Sequence, residues 1–315
     1  MSVVRGAIPA AAGYPQYSGN LIHPMFGQEL IERFYQTSIF GDITTTEYIG
    51  QLAKGGDQIT FWREPTVIIR DAIKDGTIVH DTLESETVTL VIDKAKEFSI
   101  KIAKIDEKQM MMWPAMKAAI LKNAARAMAQ NIDAEILGSI YVDSHAANQG
   151  AAAGMVSQSY NLGAAGAPVP VTPSNIIDVL TDLHGVLNEA AIPRDNRWVI
   201  LPTVAEVALL RSDLKAAYLT GMSESPMLNG RLSTKVAGFN IYVSDHVSRV
   251  FDSGVGAWCH NIIAGTNQAT VFASQLEDTR VIEDKDSWSQ YMQGLQVYGF
   301  DVIQPTCLSW LYARF

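Results

Sequence analysis

The 315-residue sequence is poor in cysteine, in charge and in long apolar runs, and each shortage closes off a class of protein. Its two cysteines, Cys259 and Cys307, are too few for a disulfide framework and have no metal-ligand spacing. A reducing compartment is the expected setting. No apolar stretch approaches the roughly eighteen residues of a membrane-crossing helix; the run 110–116 stops at Lys117. The N-terminus has one early arginine, but Pro9, Gly13 and Pro15 break its apolar residues, which makes a poor signal peptide. The chain therefore reads as soluble, with no membrane partner. The formal net charge is −9 and no run of five basic residues occurs, which argues against a nucleic-acid footprint.

Catalytic motifs are missing as well. There is no phosphate-binding glycine loop, dinucleotide fingerprint, HExxH zinc site or nucleophile elbow. Ser212 and Lys215 match an S-x-x-K pattern by chance, on what reads as the charged side of an ordinary helix. Cys259 adjoins His260, but neighbours on a strand point to opposite faces. The remaining histidines, His23, His80, His145, His184 and His246, are scattered without ligand spacing. Residues 283–286, EDKD, lack the glycine and spaced oxygens of a calcium loop and read as a solvated acidic turn. No catalytic, cofactor-binding or metal-ligating residue is assigned, and the expectation is a protein that is not an enzyme.

What is present is a chain with 48% hydrophobic and only 18% charged residues. So little charge suits either a large core or surface buried between subunits. Residues 1–24 are small and apolar without period, an extended arm on another surface or a disordered terminus. In 24–43, Leu30, Ile31 and Phe34 share one helical side. Two strand-like runs follow. In the first, Ile59 and Phe61 oppose Thr60 and Trp62, Pro65 breaks the ladder, and Val67 and Ile69 resume the alternation. In the second, Val88, Leu90 and Ile92 share a face continued by Phe98, Ile100 and Ile102. A hairpin arm of about twelve residues would reach ~40 Å. An isolated ribbon of that kind is marginal in water, so it should lean on a neighbour.

Residues 106–141 give the strongest helical signal, with Asp106 and Gln109 as a capping box and a kink expected at Pro114. Met116, Ile120, Ala124, Ala127, Met128, Ile132 and Ile136 form one apolar stripe, with Lys117, Lys122, Arg126 and Asp133 off it. An Ala/Gly-rich joint over 138–171 leads to a helix capped by Thr172 with Pro173 at its first position. Ile176, Ile177, Leu180, Leu183 and Leu187 make that helix's apolar face. Residues 197–201, RWVIL, read as a buried strand, and a helix runs from Thr203 to about Tyr218. Residues 230–247 read as turn and strand, 260–275 continue the sheet, and 297–315 give two short strands split by Pro305. The fold class is α+β.

The order of these parts resembles the major capsid proteins of tailed phages, the Hong Kong 97-type capsid fold. GDQITFWREPTVIIRDAIKDG (56–76) followed by TLVIDKAKEFSIKIAKIDEKQ (89–109) is similar to that family's extended loop returning into its spine helix. AGFNIYVSDHV (237–247) and YGFDVIQPTCL (298–308) resemble its recurring strand and its closing strand pair. The resemblance implies an N-terminal arm and short helix (1–49) and an extended β-hairpin loop (50–105). It further implies a peripheral domain with spine helix and joint (106–171), an axial α/β domain (172–285) and closing strands of the peripheral domain (286–315).

The implied function is a structural one: copies associate as hexamers and pentamers and close into an icosahedral phage head around double-stranded DNA. The implied place is the virion, assembled in the host cytoplasm. The implied subunit-interface set on the hairpin is Trp62, Arg63, Glu64, Pro65, Arg70, Asp71, Lys74, Asp75, Asp81, Glu84 and Glu86. Partners besides the chain itself would be a separate scaffolding protein, since no charged helical segment precedes the hairpin, and a portal protein; the resemblance leaves open whether a cement protein binds the outside. No cofactor is implied, and Lys74 carries no signature of a covalent crosslink. Two rivals stand beside this reading. One is an encapsulin-type nanocompartment shell, disfavoured by the long arm. The other is an α/β enzyme with a pocket in 172–285, which leaves the hairpin unexplained; a minor virion or adhesin protein is a further alternative.

Overall fold

A computed structural model describes residues 38–45, 58–64, 67–71, 80, 82, 87–109, 113–213 and 235–315, with backbone alone at 113–114 and 275–277. The N-terminal arm, the helical pattern before residue 38 and the far end of the hairpin lie outside the described residues.

In chain order, a short helix α1 (Phe40–Ile43) precedes the hairpin strands β1 (Gln58–Trp62) and β2 (Thr87–Val91). Strand β3 (Lys94–Ala103) runs into α2 (Lys104–Gln109) and the long helix α3 (Trp113–Ser139). Then come β4 (Val169–Pro170), α4 (Ile176–Glu189), β5 (Arg197–Leu201) and α5 (Thr203–Arg211). The chain finishes with β6 (Lys235–Val236), β7 (Phe239–Val243), β8 (Arg249–Asp252), β9 (Ala257–Thr266), β10 (Thr270–Glu283), β11 (Ser289–Val302) and β12 (Leu308–Arg314).

The strands form a seven-stranded sheet, a three-stranded sheet and the two-stranded hairpin. The large sheet runs β4-β12-β9-β5-β7-β6, with β8 paired to β9. Alternate residues of its central strands feed two different cores, because successive side chains point to opposite faces. Val199, Leu201, Ile262, Ala264, Leu311 and Ala313 meet the apolar face of α4 and α5. Trp198, Ile200, Ile263 and Leu308 meet the C-terminal end of α3, α1 and the base of the small sheet. A sheet covered on both faces has no polar side, which explains the unbroken RWVIL run. Even Arg197 is buried there, donating to the carbonyls of Pro193 (2.9 Å) and Ile192 (2.6 Å).

The small sheet, β10-β11-β3, is antiparallel throughout. Its 14-residue strands β10 and β11 span ~48 Å at ~3.4 Å per residue. The hairpin crosses its base, where Leu90, Ile59 and Phe61 pack on Val271 and Ala273. Gly299 permits that crossing: a side chain there would run into the Val91 carbonyl oxygen and lie 3.0 Å from the Ile92 Cα.

Several expectations are corrected by the structure. The helical signal of 106–141 begins two residues earlier and divides into α2 and α3, with 110–112 outside the described residues. Asp106 sits inside the first turn of α2 rather than at its cap, and Pro114 takes the second position of α3, where its missing N–H has no helical partner to lose. Asp133, placed off the apolar stripe, is fully buried. Helix α4 starts at Ile176, after a turn in which the Thr172 carbonyl accepts from Asn175 and Ile176. Helix α5 ends at Arg211, and Ser212 is its buried C-cap, with its hydroxyl donating to Leu209 rather than facing a charged side. Val67 and Ile69 do not resume the ladder; 67–71 is irregular, and the described pairing of the hairpin ends at Trp62–Thr87. Residues 260–275 do not continue one sheet, because the chain leaves the large sheet at Thr266 and enters the small one at Thr270. The closing strands likewise divide, β11 in the small sheet and β12 in the large one.

Candidate subunit-interface surfaces

Five of the eleven hairpin residues singled out in the sequence are described, and they do not behave alike. Trp62 ends β1 on the face turned away from the hairpin's packing and is 75% exposed. Arg63 beside it is spent within the subunit. Its Nε donates to the Ile303 carbonyl oxygen at 3.1 Å and Nη2 donates to the same atom, pinning the arm to the end of β11. Glu64, Arg70 and Asp71 are exposed. Between them Val67, Ile68 and Ile69 are exposed in succession, Ile69 to 92%. Pro65, Lys74, Asp75, Asp81, Glu84 and Glu86 lie outside the described residues.

The arm is rooted in a frame that no local sequence pattern marks. Glu135 on α3 accepts from Lys94 Nζ (2.9 Å) and Lys96 Nζ (2.8 Å) of β3 and from the Tyr298 hydroxyl (2.8 Å) of β11. Burial alone would raise its pKa, but those three donors hold it at about 2, below the ordinary 4.5. Burial and the adjacent Glu135 charge push Tyr298 the other way, up from its usual range. Lys94 also lies over the Phe300 ring, 3.9 Å from its centroid. One helix carboxylate thus joins two strands of the small sheet.

Two residues earlier, Asp133 Oδ1 accepts from the amides of Ile39 (3.2 Å) and Phe40 (3.0 Å) and so fastens α1 to the same helix. Its carboxyl is raised by burial, an effect partly offset by those amides and by His246. Sequence gave one weak signal for Asp133 and Glu135: two acids between Ile132 and Ile136, in the densest part of the apolar stripe.

The opposite end of the small sheet is bare. From Asp278 to Glu283 every residue of β10 is exposed, on both faces of the strand. The turn after it is nonetheless tightly built around Asp284. Its Oδ2 accepts from the hydroxyls of Ser287, Ser289 (3.2 Å) and Tyr291 (3.0 Å) and from Lys101 Nζ (3.1 Å); its Oδ1 accepts from the Asp286 amide (3.2 Å). The Ser287 hydroxyl first, then the Asp286 amide, Lys101 and Tyr291, hold that carboxyl well below the usual carboxylate range. The turn is therefore a fixed structure rather than a loose acidic loop. It presents Trp288, 81% exposed.

A third exposed aromatic, Trp258, lies at the start of β9, opposite Phe251 of β8. It packs edge-on to Phe251 (centroids 5.4 Å apart) with the Arg249 guanidinium 4.3 Å above its ring. An open cleft of about 370 Å³ beside it is lined by Val204, Asp245, His260 and Phe315. A second, polar cleft of about 420 Å³ lies between Thr44, Asp195, Asn196 and Asn267. Neither brings a nucleophile and a base together: Cys259 and Cys307 are buried, and burial raises the Cys307 thiol. Among the described residues no group of His, Cys, Asp or Glu is arranged to hold a metal ion. No helix among them is long and apolar enough to cross a membrane.

No protein-family model matches the sequence, and no curated protein matches it either. Solved structures do. One from Mycobacterium phage Che8 superposes with a TM-score of 0.72 at 21% identity, covering 93% of this chain and 97% of that one. The capsid structure of cyanophage P-SCSP1u gives 0.68 at 17% identity, with 93% of each chain covered. A structure from Gordonia phage Cozz gives 0.59 at 18% identity and covers 100% of this chain and 99% of that one. The chain has the α+β fold of Hong Kong 97-type phage capsid proteins, as the order of its parts implied.

Proposed function

We propose that the chain is the major capsid protein of a tailed phage, whose copies associate as hexamers and pentamers and close into an icosahedral head around double-stranded DNA. The observation that carries this reading is likeness to phage structures along the whole chain in both directions, with nothing large left over on either side. The surface supports it. Trp62, Trp258 and Trp288 stand exposed on three separate parts of the subunit, and a closed shell needs several distinct contacts per copy. Small contacts spread over several faces can together close a lattice that none would hold alone.

On this reading the hairpin lies across a neighbouring copy, with Trp62 and the exposed 67–71 segment as contact residues, while Arg63 fixes the direction in which the arm leaves its own subunit. Pro65, Lys74, Asp75, Asp81, Glu84 and Glu86 complete the proposed contact set. A separate scaffolding protein and a portal protein are the expected partners, the virion the place of residence, and the host cytoplasm the site of assembly. Net acidity fits a wall that confines DNA without binding its phosphates. The test is electron microscopy of cells expressing this chain, alone and with a candidate scaffolding protein. Shells, tubes or misclosed spirals are expected; small oligomers under both conditions would overturn the reading.

A further inference from the structure

Arg249 is a cation without a counter-charge in an acidic chain. Its guanidinium lies 4.3 Å above the Trp258 ring, and its side chain makes no hydrogen bond or ion pair among the described residues. Strand register places it there. Arg249 is opposite His260 and Phe251 is opposite Trp258, so the four side chains share one face of the sheet. Further along β9 the same face carries Ile262 and Ala264 into the core under α4 and α5. That cover gives out before Trp258, and the cleft of about 370 Å³ opens where it ends. Its apolar walls are Pro202, Val204, Val247, Trp258 and Phe315.

Two other ionisable groups line the cleft. Asp245 is committed to the start of α5, its Oδ1 accepting from the Thr203 amide (3.3 Å) and hydroxyl (2.6 Å). His260 packs edge-on to the Phe315 ring, with centroids 5.7 Å apart. Burial first, then the Arg249 charge, hold its imidazole below the ordinary range, so it brings no second positive charge at neutral pH. The Arg249 guanidinium is therefore left to meet a ligand. Its forked N–H groups match a carboxylate, and the stack on Trp258 fixes them before the ligand arrives. One cation balances one negative charge. A bare inorganic anion would leave the walls unused, and a neutral apolar ligand would leave the guanidinium unpaired.

We infer that this cleft binds a monocarboxylate with an apolar body, its carboxylate on Arg249 and its body against Trp258, Val204 and Phe315. The inference goes beyond the shell reading and does not depend on it. Two sources carry this chemistry, a small organic acid and the C-terminal residue of a polypeptide.

Ligand-observed NMR titration of the full chain separates them. The probes are 3-phenylpropionate, its amide, acetate, and an acetylated peptide ending in Leu-Phe with a free carboxylate. The acid should bind about tenfold or more tighter than the amide, the worth of a charge-assisted pair, and acetate should not bind at the same concentration. R249Q should abolish the preference for acid over amide. V204F, which narrows the cleft without touching Arg249, should weaken both and keeps the test open if R249Q does not fold by circular dichroism. A peptide that binds tighter than the free acid assigns the site to a polypeptide terminus, and the reverse order assigns it to a small acid. Equal binding of acid and amide, no binding of any probe, or parental binding by folded R249Q or V204F would overturn the site.

Discussion

The two sheets of this subunit are built from similar strands but finish their burial in different ways. In the large sheet β5 is buried at every residue, and helices on one face and the α3–α1 seam on the other cover its central strands. In the small sheet β3 alternates half-buried and exposed residues along its length, and the end of β10 is exposed all round. Helix α3 shows the same gradient: Ile132, Ile136 and Leu137 are fully buried, while the stripe from Met116 to Met128 is only half-buried. The centre of the large sheet is closed within the subunit, while Trp258 and most of β8 stay exposed at its margin. The small sheet, the first half of α3 and the hairpin are complete only when something covers them, and on the reading above that cover is another copy.

The comparison breaks most readily in the core. Leu183→Ala removes a fully buried side chain from α4 and should cost about 3 kcal/mol of subunit stability. Ile120→Ala, at the same chemistry on the half-buried part of α3, should cost less than about 1 kcal/mol and act on particle yield instead. Denaturant titration of the two subunits beside their yields separates the effects; equal costs would erase the distinction. Gly299→Ala should come next. Its new methyl group meets backbone, not a movable side chain, so a loss of about 2 kcal/mol with a loosened hairpin is expected. Faster proteolysis between 58 and 71 would report the loosening.

Glu135→Gln should have a small effect on stability at neutral pH and the clearest signature against pH. The folded pKa near 2 lies below the ordinary 4.5, so the ionised carboxylate's contribution is present above about pH 4.5 and fades as pH falls toward 2. The glutamine variant should lose that contribution, about 1 kcal/mol at neutral pH, and flatten the stability profile between those values. An unchanged profile would show that Lys94, Lys96 and Tyr298 are not held by that charge.

Much of the local structure was legible in the sequence. The hairpin faces came from period-two alternation, and Ile59 opposite Leu90 and Phe61 opposite Val88 are the register partners that alternation requires. The α4 stripe and the RWVIL strand followed from period and run length in the same way. The contact surfaces were less legible, because they depend on pairings that no local period records. Glu135 meets Lys96 and Tyr298 across 39 and 163 positions of chain. Asp133 looked like a surface acid until α1 was placed against it. Trp288 sat beside a stretch that resembled a solvated acidic turn, and the serines and tyrosine that fix this turn are recognisable only once β11 is paired with β3 and β10. The change of sheet between Thr266 and Thr270 was hidden because the polar turn at 267–268 marks the end of a strand but not which sheet the next strand joins.

Hydrogen exchange on the isolated subunit and on assembled particles tests the central contrast most directly, because it reports local protection along the whole chain in both states. Assembly should add protection at 58–64, along 113–128 and over 278–289, while 197–201, 259–266 and 308–313 exchange equally slowly in both. Equal protection of 113–128 and 278–289 in the free subunit and in the particle would contradict the account, since those surfaces would then be complete without a neighbour.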